Sequence, residues 1–225
     1  MVGVSTCAIL VCFLESVSTL TLVRHGQAFP FQGAGAALTD TGEAQAEALA
    51  RFWRRHEVRF DEVYCGALPR QVRTAEVVAQ SLGWPAAVCD PAWNEYDAPG
   101  ILRDLSMPAE PREFQRRFEA AMLRWLDGDA NGGEPWPAFR ERVSRAIARI
   151  VAGPPSRRVA VFTSGGPIGF TVHCAMQAPA KSFLDVNWRV RNGSFTQFVF
   201  DRNRLTLDCF NAIPHLEEGS LWTYR

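Results

Sequence analysis

The amino-acid sequence predicts an α/β fold: a three-layer α/β/α sandwich with a mainly parallel central sheet, an antiparallel edge and a helical cap insertion. Three observations carry this. Short β-branched and apolar runs alternate with amphipathic helical patterns up to about residue 180, the order that builds a parallel sheet. Two further strand-like runs then flank Asp201-Arg-Asn-Arg204, a hairpin signal. Residues 90–150 hold two helical patterns with no clear strand between them, as an insertion over one end of the sheet would.

The first strand is Thr19 to Val23, β-branched and apolar throughout, running directly into Arg24-His25-Gly26. Ala28 to Leu38 contains Pro30, Gly33 and Gly35 and reads as a loop. Thr39-Asp40-Thr41 supplies helix N-caps, and the helix that follows runs to about His56 with Ala46, Leu49, Ala50 and Trp53 on one face. Glu62 to Cys65 is a short strand and Gly66 to Pro69 a turn. A second helix spans Arg70 to Leu82, ended by Gly83 as a C′ residue.

Ala86 to Cys89 reads as a short strand, and Asp90 to Gly100 as a loop dense in polar, aromatic and turn residues. Helices follow over Arg112 to Leu126, with Phe114, Phe118, Ala121 and Trp125 in phase, and over Trp136 to Val151, broken by Pro154-Pro155. Arg158 to Thr163 is a strand apolar enough to be buried on both faces. Ser164-Gly165-Gly166 is a turn, with Pro167 suited to the first position of the next helix. Pro179 to Arg189 predicts one more short helix, and Ser194 to Phe200 and Leu205 to Phe210 are the hairpin strands.

With 225 residues the chain is long enough for one such domain, 18–225, with the insertion at about 90–150. Lysine plus arginine and aspartate plus glutamate both number 24, so there is no basic footprint for nucleic acid and no polybasic membrane signal. Residues 1–17 read as an extension outside the fold. Cys7 to Leu14 is apolar but too short to span a bilayer, no lysine or arginine precedes it, and no Ala-x-Ala site follows. A natural start near Val17 is one expectation for this segment. The cysteines at 7, 12, 65, 89, 174 and 209 form no CxxC pair and no zinc-like cluster, and read as reduced, mostly buried thiols of a cytoplasmic protein.

Three stretches follow predicted strands at their carboxyl ends, where open α/β sheets build sites. They are Arg24-His25-Gly26, Gly66 to Arg70, and Ser164-Gly165-Gly166. The guanidinium forks of Arg24 and Arg70 suit a tetrahedral oxyanion, although Arg70 also reads as a solvated first-turn residue. His25 reads as nucleophile, metal ligand or structural histidine. Gly165-Gly166-Pro167 before a helix offers backbone N–H groups at a positive dipole end. Glu95 and Asp97 stand on an aromatic-flanked loop, where a carboxyl can serve as general acid or simply be solvated. His173 reads as packed, His56 as a helix-end residue, and His215 has no obvious partner in the sequence.

Taken together these residues resemble the histidine phosphatase superfamily, also called the phosphoglycerate mutase-like family. Leu22-Val-Arg-His-Gly26 looks like its signature. Leu38-Thr-Asp-Thr-Gly42, Leu68-Pro-Arg70 with Thr74-Ala75, Asn192-Gly-Ser194, and Phe210-Asn211 with His215-Leu216 resemble further family segments, over about residues 18–217. The resemblance implies a phosphomonoesterase. His25 attacks phosphorus to form a phosphohistidine. Arg24, Arg70, Ser164 and Gly165 bind the phosphoryl oxygens. Glu95 is the acid, with Asp97 the other candidate. No metal or other cofactor is implied, and the partner is a small phosphorylated substrate or inorganic phosphate. The sequence departs from the family at Ser164, where a second histidine normally precedes Gly-Gly, and at Gly66, where serine is common. Ser164 motivates one alternative, a weak or inactive relative that binds a phosphorylated ligand or partner; a separate one is a mutase-like phosphotransferase, which needs a phosphohistidine that resists water.

Overall fold

The computed structural model describes residues 17–29, 35–103, 110–128 and 133–224. Residues 1–16, with Cys7 and Cys12, lie outside the described residues. In chain order the elements are β1 (Ser18–Arg24), α1 (Asp40–Arg55), β2 (Glu62–Cys65), α2 (Pro69–Leu82), β3 (Val88–Cys89), α3 (Ala98–Ile101), α4 (Pro111–Leu126), α5 (Trp136–Val151), β4 (Arg158–Thr163), α6 (Gly165–Ala175), α7 (Ser182–Asn187), β5 (Phe195–Phe200) and β6 (Leu205–Ala212).

The sheet has the order β3-β2-β4-β1-β5-β6. β3, β2, β4 and β1 run parallel, β5 is antiparallel to β1, and β6 returns along β5 to form the outer edge. Side chains alternate across the sheet as strand geometry requires. Leu20, Leu22, Val159, Val161, Phe198 and Phe200 point to one face, into a core shared with α4, α5, α6 and α7. Val23, Cys65 and Phe162 point to the other, against Ala46, Leu49, Ala50 and Trp53 of α1 and Ala75, Val77 and Val78 of α2. β1 and β4 are central, so both faces are covered, and their sequences are rich in apolar and β-branched residues, with Thr21 and Thr163 buried among them.

Within residues 90–150 the elements divide. Val143, Ala146 and Ile150 of α5 join the same buried cluster as the β1 and β4 side chains, so α5 belongs to a layer on the sheet. Residues Asp90 to Gly100 are more ordered than a loop: a 3-10 turn over Pro91–Trp93 precedes α3. Pro167 falls at the third position of α6, not the first; a first-turn residue has no intrahelical N–H partner to lose, so the proline costs nothing there. Of the described cysteines only Cys65 is buried; Cys89 and Cys174 are exposed and Cys209 is intermediate, which corrects the expectation of mostly buried thiols. All four are free, and burial pushes the Cys65 thiol up to about 12. Among the described residues no helix is long and apolar enough to cross a membrane.

Candidate active site

β1 delivers Arg24 and His25 to the carboxyl edge of the sheet, and the backbone there is held from both sides. The His25 N–H donates to the Thr163 carbonyl at the end of β4, 2.9 Å away. The Arg24 and His25 carbonyls both accept from the Gly193 N–H at 3.2 Å. Gly26 is required by packing: a Cβ there would lie 2.3 Å from the Gly42 carbonyl oxygen in α1, and one on Gly42 would meet the Gln27 oxygen at 2.1 Å. The two glycines of Leu22-Val-Arg-His-Gly26 and Leu38-Thr-Asp-Thr-Gly42 thus explain each other. Thr74 of α2 completes the cradle. Its hydroxyl accepts from the Gly26 N–H at 3.1 Å and donates to the Arg70 carbonyl at 2.7 Å.

The imidazole of His25 is buried, with Nδ1 2.7 Å from the Gly26 carbonyl oxygen. A carbonyl only accepts, so Nδ1 carries the proton and Nε2 presents its lone pair. Nε2 faces Arg70, whose Nε–H donates to it at 3.1 Å. Burial, then the charges of Arg70 and Arg24, hold the His25 pKa well below the usual histidine value. The ring is therefore a neutral base at neutral pH, flanked by two guanidinium groups.

Glu95 is partly buried on the opposite wall. Its Oε1 accepts from the Gly166 N–H in the first turn of α6 at 2.9 Å and from its own neighbour, the Tyr96 N–H, at 3.2 Å. Burial raises its pKa, while Arg70 and Arg24 act in the other direction. The positive end of α6, read from the sequence as an anion site, thus holds a carboxyl group of the protein itself. Asp97 lines the same cavity, and its Oδ1 caps α3 by accepting from the Gly100 N–H at 3.1 Å.

Ser164 and Gly165 are not brought into the cavity wall. Ser164 is fully buried, and its Oγ accepts from Gln71 Nε2 at 2.8 Å. The serine side chain is short, and in this structure Gln71 engages its hydroxyl. Gln71 also donates to the Trp93 carbonyl at 3.1 Å, and its Oε1 accepts from the Leu68 N–H at 3.1 Å. The amide stands where Gly66 leaves room, since a Cβ on Gly66 would lie 2.0 Å from Gln71 Oε1.

Several site residues carried no sequence signal. Arg142 of α5 fixes the loop that bears Glu95. It donates to the carbonyls of Ala92, Asn94 and Glu95 at 2.9, 2.7 and 3.1 Å, and to both oxygens of Glu134 at 2.5 and 2.8 Å. Thr163 adds a bond to the Trp93 carbonyl at 2.6 Å, and Asn94 Oδ1 accepts from the Ala67 N–H at 2.6 Å. His173 stands 3.4 Å from Ser182 Oγ, clear of the cavity wall. His215, partnerless in the sequence, lies with Nε2 3.0 Å from the Gly193 carbonyl oxygen, and burial lowers its pKa to about 4. It stays neutral and braces the turn that holds His25.

Arg24, His25, Arg70 and Glu95 line one cavity of about 1130 Å³ over the carboxyl ends of the parallel strands. Its outer walls come from Leu102, Phe114, Phe118, Trp188 and Tyr224. The arrangement can bind a tetrahedral anion between two guanidinium groups, offer it a neutral imidazole nitrogen, and deliver a proton from a carboxyl group.

Comparison with known proteins agrees with this geometry. The family model described as histidine phosphatase superfamily (branch 1) matches residues 20–213. The probable phosphoglycerate mutase GpmB of Cronobacter sakazakii is 30% identical over 190 residues, 81% of this chain and 85% of that protein. The adenosylcobalamin/alpha-ribazole phosphatase of Salmonella typhi is 28% identical over 203 residues, 86% of this chain and 96% of that one. Among solved structures, the alpha-ribazole phosphatase from Shigella flexneri superposes with a TM-score of 0.66 at 25% identity, covering 86% of this chain and 96% of its own.

Proposed function

The chain belongs to the histidine phosphatase superfamily, and from that premise we propose that it hydrolyses a phosphomonoester through a phosphohistidine on His25. The observation that carries this is the buried, neutral His25 ring, with its Nε2 lone pair turned toward Arg70 in a cavity that Arg24 also lines. On substrate binding the Arg70 Nε–H exchanges Nε2 for a phosphoryl oxygen, and Arg24 takes another. Nε2 attacks phosphorus in line; the N–P bond forms as the bond to the leaving oxygen breaks. Glu95, its pKa raised by burial, gives its proton to that oxygen and the alcohol departs. The Glu95 carboxylate then takes a proton from water. The water oxygen attacks phosphorus, the N–P bond breaks, and inorganic phosphate and the neutral imidazole are regenerated. The guanidinium groups stabilise the charge gathered on the equatorial oxygens at both steps. Ser164 and Gly165 act from behind, through Gln71 and the first turn of α6.

A second reading is a protein that binds a phosphorylated ligand without turning it over. The buried hydroxyl of Ser164 favours it, because the site then has one imidazole in its wall and not two. Incubation with an alkyl phosphate, followed by mild quenching and mass spectrometry, separates the two. The hydrolytic reading expects phosphate release and an acid-labile phosphoryl group on His25, both absent in His25→Ala. Background release in both proteins, without label but with bound phosphate, would establish the second.

A further inference from the structure

We propose that the alcohol portion of the substrate is neutral and apolar, with a flat aromatic or hydrocarbon body, and carries no second anion. This rests on the phosphomonoester reading and names its substrate class. The cavity of about 1130 Å³ is far larger than a phosphoryl group needs. Beside Arg24, Arg70, His25 and Glu95 the lining includes the aromatic side chains of Phe114, Phe118, Trp188 and Tyr224. There the Phe114 and Phe118 rings stack 6.0 Å apart at 7°, and Trp188 meets Phe118 edge-on at 5.0 Å. Such a wall favours a flat apolar group by burial and by ring contacts.

A second anion finds no free counter-charge there. Among the described residues, the cations lining the cavity are Arg24, Arg70 and Arg142. The first two serve the phosphoryl end. All five N–H donors of Arg142 are committed, to Glu134 and to the carbonyls of Ala92, Asn94 and Glu95. Arg191 is engaged on the Tyr224 ring, 5.1 Å from its centroid, and does not line the cavity. The remaining wall charge is negative: Asp97 lines the cavity with Glu134, and only Glu134 is matched by Arg142. A carboxylate or second phosphate on the alcohol would therefore stand near the Asp97 carboxylate without a lining cation left to pair it.

Three primary alkyl phosphates of comparable leaving group test this: 2-phenylethyl phosphate, glycerol 3-phosphate and 3-phosphoglycerate. The expected kcat/KM is highest for the first, by at least about tenfold over 3-phosphoglycerate. Phe118→Ala shrinks that ratio; Phe114→Ala, at a less buried position, does so without risk to the core. Equal or better turnover of 3-phosphoglycerate would overturn the proposal and leave hydrolysis standing. Calorimetric binding of two non-hydrolysable phosphonates, 3-phenylpropylphosphonate and 4-phosphonobutyrate, reads the same preference without chemistry. Tighter binding of the aryl phosphonate by at least about tenfold supports the class even if no ester is turned over, in which case only the hydrolytic reading fails. Equal or tighter binding of the carboxylate, or binding of neither, overturns it.

Discussion

Two neighbouring strand ends in this molecule have opposite fates. β1 and β4 are parallel partners, with Arg24 beside Thr163, so His25 and Ser164 leave the sheet side by side. His25 turns its ring into the cavity, between guanidinium groups. Ser164 turns its hydroxyl away, to the amide of Gln71. The difference is made by a third element: α2 carries both Arg70, which faces His25, and Gln71, which reaches behind Ser164. One helix turn thus arms one strand end and closes the other. The site is a single imidazole supported by arginines and a carboxyl, and not a pair of imidazoles.

The largest test of that asymmetry is to remove each side chain. His25→Ala is expected to abolish turnover of 2-phenylethyl phosphate, by at least about 10⁴-fold, because the proposed covalent intermediate forms on that ring. Ser164→Ala is expected to lower kcat by no more than about tenfold, since the hydroxyl is not in the wall. Comparable losses would mean that Ser164 moves into the site when substrate binds.

Glu95 comes next. Glu95→Gln is expected to cost about 10²–10³ in kcat, the scale of a positioned acid. It also sharpens the pH profile. In the proposed mechanism His25 acts only when deprotonated, and its pKa lies well below the ordinary value, so the acidic limb of kcat/KM is expected well below pH 6.5. Glu95 in that mechanism acts when protonated, and its pKa is raised, so activity is expected to decline as pH rises through that value. In Glu95→Gln the alkaline limb should vanish; its persistence would assign the proton to another group.

Arg142 is a positioning residue for Glu95. Arg142→Ala is expected to lower kcat about 10–10²-fold by loosening the loop, while KM for the aryl substrate changes less. Arg142→Lys should not restore it, because a single ammonium cannot span three carbonyls and a carboxylate. The diagnostic readout is the alkaline limb, which should shift in the variant as Glu95 changes surroundings. A shift in stability alone would reduce Arg142 to a structural part.

Much of this was legible in the sequence, for identifiable reasons. The sheet could be read because β1 and β4 are covered on both faces and so are rich in apolar and β-branched residues. Arg24, His25 and Arg70 could be read because they stand at carboxyl ends of strands, where backbone topology alone brings loops together. Glu95 was one of two carboxyls on a loop, and only the tertiary bond to Gly166 separates it from Asp97. Gln71 and Arg142 could not be read. Each sits on an amphipathic helix as one polar residue among several, and their roles depend on which neighbouring element the helix packs against. The fate of Ser164 was hidden for the same reason: its partner lies 93 residues away.

The smallest expected effect on activity is also the test of how the closed strand end is built. Gly66, Gln71 and Ser164 occupy one packed space: the amide fills the volume a Cβ on Gly66 would need, and its Nε2 holds the serine. Ser164→His must push an imidazole into the volume of Gln71, and overpacking of this kind costs about 1–3 kcal/mol. Gln71→Ala leaves Ser164 Oγ without that donor, a loss of about 1–3 kcal/mol for a buried polar atom. The two changes together relieve each other, because alanine clears the space that histidine requires. The double variant should therefore be more stable than the sum of its parts by at least about 1 kcal/mol, measured by denaturant unfolding. Its kcat should stay within about tenfold of the starting protein, and rise if the new ring reaches the phosphoryl group. Additive losses would show that Gln71 and Ser164 are neighbours without being a unit, and that the strand end is closed by something other than the amide.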